Sequence, residues 1–182
     1  MNWKIKAWKE NENGNQRNES KETYSFQKSF CIKKRKTTYK EVRDISDIKK
    51  IDLPNKNETL KILTSNNTNS IKILKIFDII ELSIVFAVID KFAVDALKQI
   101  KIKTVIARAN QNVLLSKIAE TIKCEKLKKK KNHMKLYLIK TKDSKYVINS
   151  SANPKISDYT ELYVIDNSTD LYNKLSKIIE II

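Results

Sequence analysis

The types and spacing of two side chains suggest phosphate chemistry. His133 is the only histidine of the 182-residue chain, and Lys135 follows it two positions later. Near neutral pH a histidine can act as a nucleophile or as a general acid and base, and a lysine supplies a fixed positive charge for phosphoryl oxygens. On a β-strand the two side chains would share a face, with their Cα atoms about 6.6 Å apart. One phosphate group could lie between them, although a lone His-x-Lys pair is more often incidental.

The residues around this pair predict the element that positions it. Two apolar runs, at 134–139 and 146–148, are separated by a polar loop at 140–145, a pattern typical of a β-hairpin. Side chains alternate along the first strand, with His133, Lys135, Tyr137 and Ile139 on one face and Met134, Leu136 and Leu138 on the other. The second strand runs into the sequence NSSAN, a cluster of small hydrogen-bonding side chains that would meet the same site.

The order of these features resembles the half-site of the phospholipase D superfamily, the HKD phosphodiesterases. The motif of that family is HxK(x)4D, followed by GSxN and by a later glutamate. His133 and Lys135 match HxK, Ser151 and Asn153 match the serine and asparagine of GSxN, and Glu161 falls where the later acid is expected. The chain is most similar to the small phage-type or bacterial members that carry a single HxK set.

Two positions depart from the family motif. Lys140 stands where the motif has aspartate, and Ser150 stands where it has glycine. The aspartate usually supports the half-site and does not attack the substrate, so its loss leaves the chemistry open. Replacing glycine removes backbone freedom at a tight turn.

The resemblance implies a fold, a mechanism and an assembly. The fold would be α/β, a phospholipase D-like mixed β-sheet flanked by helices, with one half-site per chain. In this family two HxK sets meet at one active site, where one histidine attacks phosphorus and the other protonates the leaving group. A chain with one histidine would therefore act as a homodimer. This chemistry requires no metal and no other cofactor.

Positive charge is concentrated near the same residues. The chain has a net charge of +16; residues 101–150 carry 14 basic and 3 acidic side chains, and residues 1–50 carry 14 and 7. Clustered positive charge binds polyanions by neutralising phosphates and releasing counterions. We therefore predict a nucleic-acid partner, contacted by the run Lys128, Lys129, Lys130 and Lys131. A solvated lysine-rich face is the alternative, and a membrane partner is not expected because no basic amphipathic helix with aromatic anchors accompanies the charge.

The rest of the sequence alternates strand-like and helical patterns. Strand-like runs lie at 60–65, 82–89 and 101–108, and helical patterns at 70–80, 91–100, 112–123 and 168–182. Asp90, and Ser168 or Thr169, stand where N-caps of the helices are expected. This order is typical of a sheet with helices packed on it. We expect a basic N-terminal arm at residues 1–50 and a phospholipase D-like domain at residues 51–182.

Two functional hypotheses follow from these observations. The first is a metal-independent phosphodiesterase or nuclease that acts on DNA or RNA through a histidine nucleophile and whose active site is completed by dimerisation. The second is a nucleic-acid-binding protein on a catalytically degenerate scaffold of the same type. Cys31 and Cys124 form no CxxC motif, and no secretory signal is visible, so the sequence favours a cytoplasmic protein without disulfides.

Overall fold

Eight β-strands form one mixed sheet in this computed structural model, which describes residues 35–44, 47–48, 51–66, 70–108, 118–156 and 159–181. In chain order the strands are β1 (Thr37–Asp44), β2 (Thr59–Asn66), β3 (Glu81–Phe86), β4 (Ile102–Arg108), β5 (Cys124–Lys130), β6 (Leu136–Lys140), β7 (Lys145–Ser150) and β8 (Glu161–Asn167). Their order across the sheet is β1-β2-β8-β7-β6-β3-β4-β5.

The strand directions bring several strand ends together. β1 pairs in parallel with β2, and β3, β4 and β5 pair in parallel with one another, whereas β6, β7 and β8 pair antiparallel with each neighbour. The carboxyl ends of β2, β3 and β7 therefore lie beside the amino ends of β6 and β8. We call this end of the sheet, marked by Asn66, Phe86, Leu136, Ser150 and Glu161, the site end.

Helices cover both sides of the sheet. They include the 3-10 helix Ser70–Ile76 and the α-helices α1 (Lys91–Leu97) and α2 (Thr169–Ile181). The 3-10 helix and α1 contribute to one apolar cluster with Tyr137 and Ile139, and α2 packs in a second cluster with Leu136 and Leu138. Both faces of β6 are thus buried, with the predicted alternation. The predicted α/β fold, a mixed sheet flanked by helices, is confirmed.

The predicted helix caps are confirmed. The Asp90 side chain accepts a hydrogen bond from the backbone N–H of Ala93 at 2.8 Å, and the Ser168 hydroxyl accepts one from the N–H of Leu171 at 3.3 Å. Each bond satisfies one of the backbone donors that have no partner inside the first turn of a helix. Within the described ranges, no helix is both long and apolar enough to cross a membrane.

Three elements differ from their sequence-based expectations. The segment predicted as a helix at 70–80 forms the shorter 3-10 helix, and β5 was not predicted. β1 lies inside the stretch assigned to an N-terminal arm, so that part of the stretch belongs to the sheet. Residues 1–34, with Cys31 and most of the predicted arm, lie outside the described residues. So do residues 112–117 of the helix predicted at 112–123.

Candidate functional site

His133 and Lys135 lie just before β6 and not on it, because that strand begins at Leu136. The backbone N–H of Ser150 still donates to the carbonyl of Lys135 at 3.0 Å. The residue opposite His133 in the β6–β7 register is Ala152, and its N–H donates to the Ser150 hydroxyl at 2.9 Å instead. His133 therefore has no strand partner on that side. The prediction that His133 is a strand residue is corrected: it occupies a loop at the site end of the sheet.

The two side chains nevertheless meet. The Lys135 Nζ and His133 Nδ1 atoms are 3.0 Å apart. An ammonium group has no acceptor, so His133 accepts at Nδ1, and the proton of its neutral ring lies on Nε2. Lys135 is 9% exposed and His133 is exposed. Among the described residues, no carboxylate lies within ion-pair distance of Lys135, although lysines this buried usually have an anionic partner.

Ser151 and Glu161 form a second contact, between the end of β7 and the start of β8. The Ser151 hydroxyl donates to Glu161 Oε2 and accepts from the backbone N–H of Leu162 at 3.0 Å. Glu161 is 9% exposed, and its backbone carbonyl accepts from the Thr64 hydroxyl on β2 at 3.3 Å. These bonds hold the Glu161 carboxylate at the site end.

Asn153 is oriented by the segment that follows β3. Its Oδ1 atom accepts from the backbone N–H groups of Ala87 at 3.3 Å and Val88 at 3.0 Å. Two N–H donors identify this atom as the oxygen, so the Nδ2 donors are directed away from that segment. Both side-chain hydrogen bonds of Asn153 go to Oδ1, so Nδ2 has no acceptor among the described residues. Asn153 therefore retains a donor group for a ligand.

Tyr137 lies on the same side of the sheet and connects to the Asn153 loop. Its hydroxyl is 3.4 Å from the Ser70 Oγ atom, which donates to the backbone carbonyl of Asn153 at 2.6 Å. Burial, and with it the negative charge of Glu161, raises the pKa of Tyr137 to about 12 despite the hydrogen bond with Ser70. The hydroxyl is therefore protonated at neutral pH. Glu161 alternates along β8 with Tyr163 and Ile165, which belong to the apolar cluster of Tyr137, so Glu161 lies on this side of the sheet.

The five predicted site residues thus form three local arrangements at the site end: the His133–Lys135 contact, the Ser151–Glu161 contact and the oriented Asn153. Ser70, which links Tyr137 on β6 to the backbone of Asn153, was missed. Nothing in the polar sequence at 64–70 predicts a structural role for its last serine. The two contacts of Ser70 form only because the 3-10 helix packs on β6. Tyr137 was placed on the correct face, but its alternation with apolar neighbours predicts only burial.

The two departures from the family motif have simple structural consequences. Lys140 is exposed at the opposite end of β6, where its backbone carbonyl accepts from the N–H of Ile80 at 2.8 Å. The Ser150 hydroxyl accepts from the N–H of Ala152 at 2.9 Å, which closes the turn locally. Among the described non-glycine residues, Asn57 is the one with positive φ. Ser150 therefore needs none of the backbone freedom of glycine.

The four lysines before His133 do not share one environment. Lys128, Lys129 and Lys130 lie on β5, where side chains alternate in direction. The Lys128 ammonium donates to the backbone carbonyls of Ile179 at 3.1 Å and Glu180 at 2.8 Å, which have no partner inside α2. Lys128 therefore caps the carboxyl end of that helix.

The other three lysines are exposed. Lys130 and Lys131 line a cavity of about 160 Å³ under α2, with Leu136 and Ile178 among the apolar residues of its wall. Lys129 is in register with Ala107, which belongs to the apolar cluster of Tyr137, so Lys129 lies on the His133 side by strand alternation. Of the strand lysines, Lys129 is thus the one placed to approach a ligand at His133.

Within the described ranges, no three or more His, Cys, Asp and Glu side chains are grouped so that they could hold a metal ion. No family model and no curated protein matches the chain. Among solved structures, it is similar to the polyphosphate kinase from Porphyromonas gingivalis, with 14% sequence identity and a TM-score of 0.49. The match covers 69% of this chain and 24% of that chain, so this chain spans about a quarter of the length of the kinase. At this level of similarity the match says nothing about what the chain binds or catalyses.

Proposed function

We propose that the chain is a phospholipase D-like phosphodiesterase that acts on nucleic acid through His133. The observation that carries this proposal is the contact of 3.0 Å between His133 Nδ1 and the ammonium of Lys135. A nearly buried lysine without a carboxylate partner among the described residues suits an anionic ligand, because the ligand would supply the missing negative charge. A phosphoryl group is such a ligand, and histidine is the side chain that can react with it near neutral pH.

The reaction proceeds in two displacements. In the first, a histidine nitrogen attacks phosphorus, a P–N bond forms, and the P–O bond to the leaving nucleotide breaks while a second histidine gives a proton to the departing oxygen. In the second, water attacks the phosphohistidine, transfers its proton to the second histidine, and releases the first. Lys135 and the Nδ2 group of Asn153 donate to the non-bridging oxygens and stabilise their charge.

The tautomer of His133 determines whether its Nε2 atom can act as the nucleophile. With Lys135 donating to Nδ1, the proton of the neutral ring is on Nε2. This form cannot attack through Nε2, because that nitrogen carries the proton; the histidine that protonates the leaving oxygen does so as an imidazolium, with protons on both nitrogens. A phosphoryl oxygen that draws the Lys135 ammonium away from Nδ1 frees that nitrogen to carry the proton instead, and Nε2 then becomes nucleophilic. Ligand binding therefore selects the reactive tautomer in one copy of the histidine.

The active site requires two chains, because each chain has one histidine. A twofold dimer that brings two copies of His133 to one phosphate would supply both the nucleophile and the acid. The excess of basic residues favours nucleic acid as the substrate, since phosphate backbones release counterions when they meet such a surface. Lys129, exposed and on the His133 side of β5, is the strand lysine that we assign to this contact.

The decisive experiment is cleavage of plasmid and single-stranded DNA and RNA in EDTA, with wild type beside His133→Ala. We expect EDTA-resistant cleavage by the wild type and a loss of at least about 1000-fold in the variant, because the covalent step has no other nucleophile. His133 is exposed, so the substitution should leave the unfolding midpoint unchanged. Sedimentation tests the dimer: cleavage by a protein that stays monomeric on its substrate would contradict the two-histidine mechanism.

The second candidate function is nucleic-acid binding without catalysis. Exposed basic residues along the outermost strand of the sheet, among them Lys126, Lys129 and Lys130, favour it independently of His133. Under this alternative neither the wild type nor His133→Ala cleaves, while both bind nucleic acid equally with a steep dependence on salt. The cleavage assay therefore decides between the two candidates.

A further inference from the structure

The loop that carries Asn153 is fastened to the segment between β3 and α1. Besides the two bonds to Asn153 Oδ1, the backbone N–H of Asp90 donates to the carbonyl of Pro154 at 3.1 Å. The N–H of Ile156 donates to Asp90 Oδ2 at 2.7 Å. Bonds therefore reach the loop at three of its four residues from 153 to 156, and Asp90 takes part in two of these attachments.

The Asp90 carboxylate performs two tasks with its two oxygens. Oδ1 accepts from the N–H of Ala93 and caps α1, while Oδ2 accepts from Ile156 in the Asn153 loop. Both tasks require an acceptor. Asparagine or serine at this position would supply only one accepting oxygen, although either is a good N-cap. Capping α1 would therefore not by itself need an aspartate at this position.

We propose that Asp90 is a positioning residue for the Asn153 amide at the phosphate site. This inference rests on the proposed function, because it concerns the donor that Asn153 offers to a phosphoryl oxygen. Asp90 does not touch the phosphate; it holds the loop against the segment whose N–H groups orient Asn153 Oδ1, and thereby directs Nδ2 toward the ligand. A donor that is oriented before the ligand arrives stabilises charge without a cost of reorganisation.

Asp90→Asn separates the two tasks. Its Oδ1 still caps α1, while its NH2 group faces the N–H of Ile156, so two donors oppose each other and that attachment is lost. Asp90→Ser provides a second variant that keeps the cap but does not reach the loop. Asn153→Asp is the matched control at the site itself, because a carboxylate still accepts from Ala87 and Val88 but has no Nδ2 donor.

The measurement is a titration with inorganic phosphate, followed by NMR of the Asn153 side-chain amide and by hydrogen exchange of the Ala93 and Ile156 amides. In the wild type we expect the Asn153 amide signals to shift with phosphate. In Asp90→Asn and Asp90→Ser we expect phosphate to bind about tenfold more weakly, and the Ile156 amide to exchange about tenfold faster, as one lost hydrogen bond to a charged group implies. The Ala93 amide should exchange as in the wild type.

The outcomes distinguish this inference from the proposed function. If phosphate does not shift the Asn153 amide signals of the wild type, or if both Asp90 variants bind phosphate as tightly as the wild type, the positioning role is overturned. If phosphate binds and weakens as expected but the wild type cleaves no nucleic acid, the phosphodiesterase is rejected while the positioning role stands. Should Asp90→Asn also lower the unfolding midpoint, Asp90→Ser decides, since serine introduces no opposing donor.

Discussion

A lysine lies at each end of strand β6, Lys135 just before its first residue and Lys140 as its last residue, and the two lysines have opposite environments. At the site end, Lys135 is 9% exposed and contacts His133. At the far end, five residues or about 16 Å along the strand, Lys140 is exposed. The phospholipase D motif has lysine at the first position and aspartate at the second; in this chain the first residue is buried and the second is exposed. Lys140 therefore lies away from the phosphate site that we propose.

The same substitution at both ends of β6 tests whether the two lysines differ in function. Lys135→Met retains the volume of the buried side chain but removes the charge that we assign to the phosphoryl oxygens. We expect a decrease in the cleavage rate of at least about 100-fold, the usual cost of one transition-state donor. Lys140→Met, the matched control, should cleave within about twofold of the wild type. Initial rates in EDTA measure both, and equal losses would show that the two ends do not differ in function.

A second test concerns the buried polar link beneath Lys135. Tyr137→Phe removes the hydroxyl that pairs with Ser70 and leaves the ring in the apolar cluster. Because a buried acceptor then loses its partner, we expect a loss of about 1 kcal/mol in the free energy of unfolding, measured by urea titration at neutral pH. No loss would mean that the Ser70 link contributes nothing to the site end.

The same variant predicts a dependence on pH. The pKa of Tyr137 is raised from 10.0 to about 12 in the folded chain, so the folded protein keeps a proton that the unfolded chain has released. This contribution to stability is complete below pH 10 and is lost as the pH rises to 12, by about 1.4 kcal/mol per pH unit. The advantage of the wild type over Tyr137→Phe should therefore shrink between pH 9 and pH 11. An advantage that stays constant over this interval would contradict the buried, neutral hydroxyl.

Local sequence signals predicted the elements that build the site end. The β6–β7 hairpin, the caps at Asp90 and Ser168, and the amphipathic α2 each depend on neighbouring residues and are present. The place of His133 was not predictable in the same way. Whether His133 joins the strand depends on where the pairing of β6 with β7 ends, and it ends because the N–H of Ala152, opposite His133, donates to the Ser150 hydroxyl instead. Such a boundary is set by residues that are distant in sequence.

Strand β5 shows the second limit of sequence-based prediction. Its sequence CEKLKKK lacks the alternation of apolar and polar residues that marks a half-buried strand. It forms because its backbone pairs with β4, and lysine side chains are common on outermost strands, where they discourage pairing with another chain. The run of lysines therefore had a structural reason in addition to the one that we predicted from charge.

Neighbouring lysines on β5 thus have different roles, one structural and one proposed for binding. The smallest effects that we predict come from substituting them separately. Lys128→Ala removes the ammonium that binds two carbonyls at the end of α2, so we expect a loss of about 1 kcal/mol in unfolding free energy and little change in binding. Lys129→Ala, its neighbour and matched control, should leave stability within about 0.5 kcal/mol of the wild type. It should lower the salt dependence of nucleic-acid binding by about one phosphate contact. If Lys128→Ala lowers the salt dependence as much as Lys129→Ala does, the two faces of β5 do not divide these roles, and the approach to His133 involves both sides of the sheet.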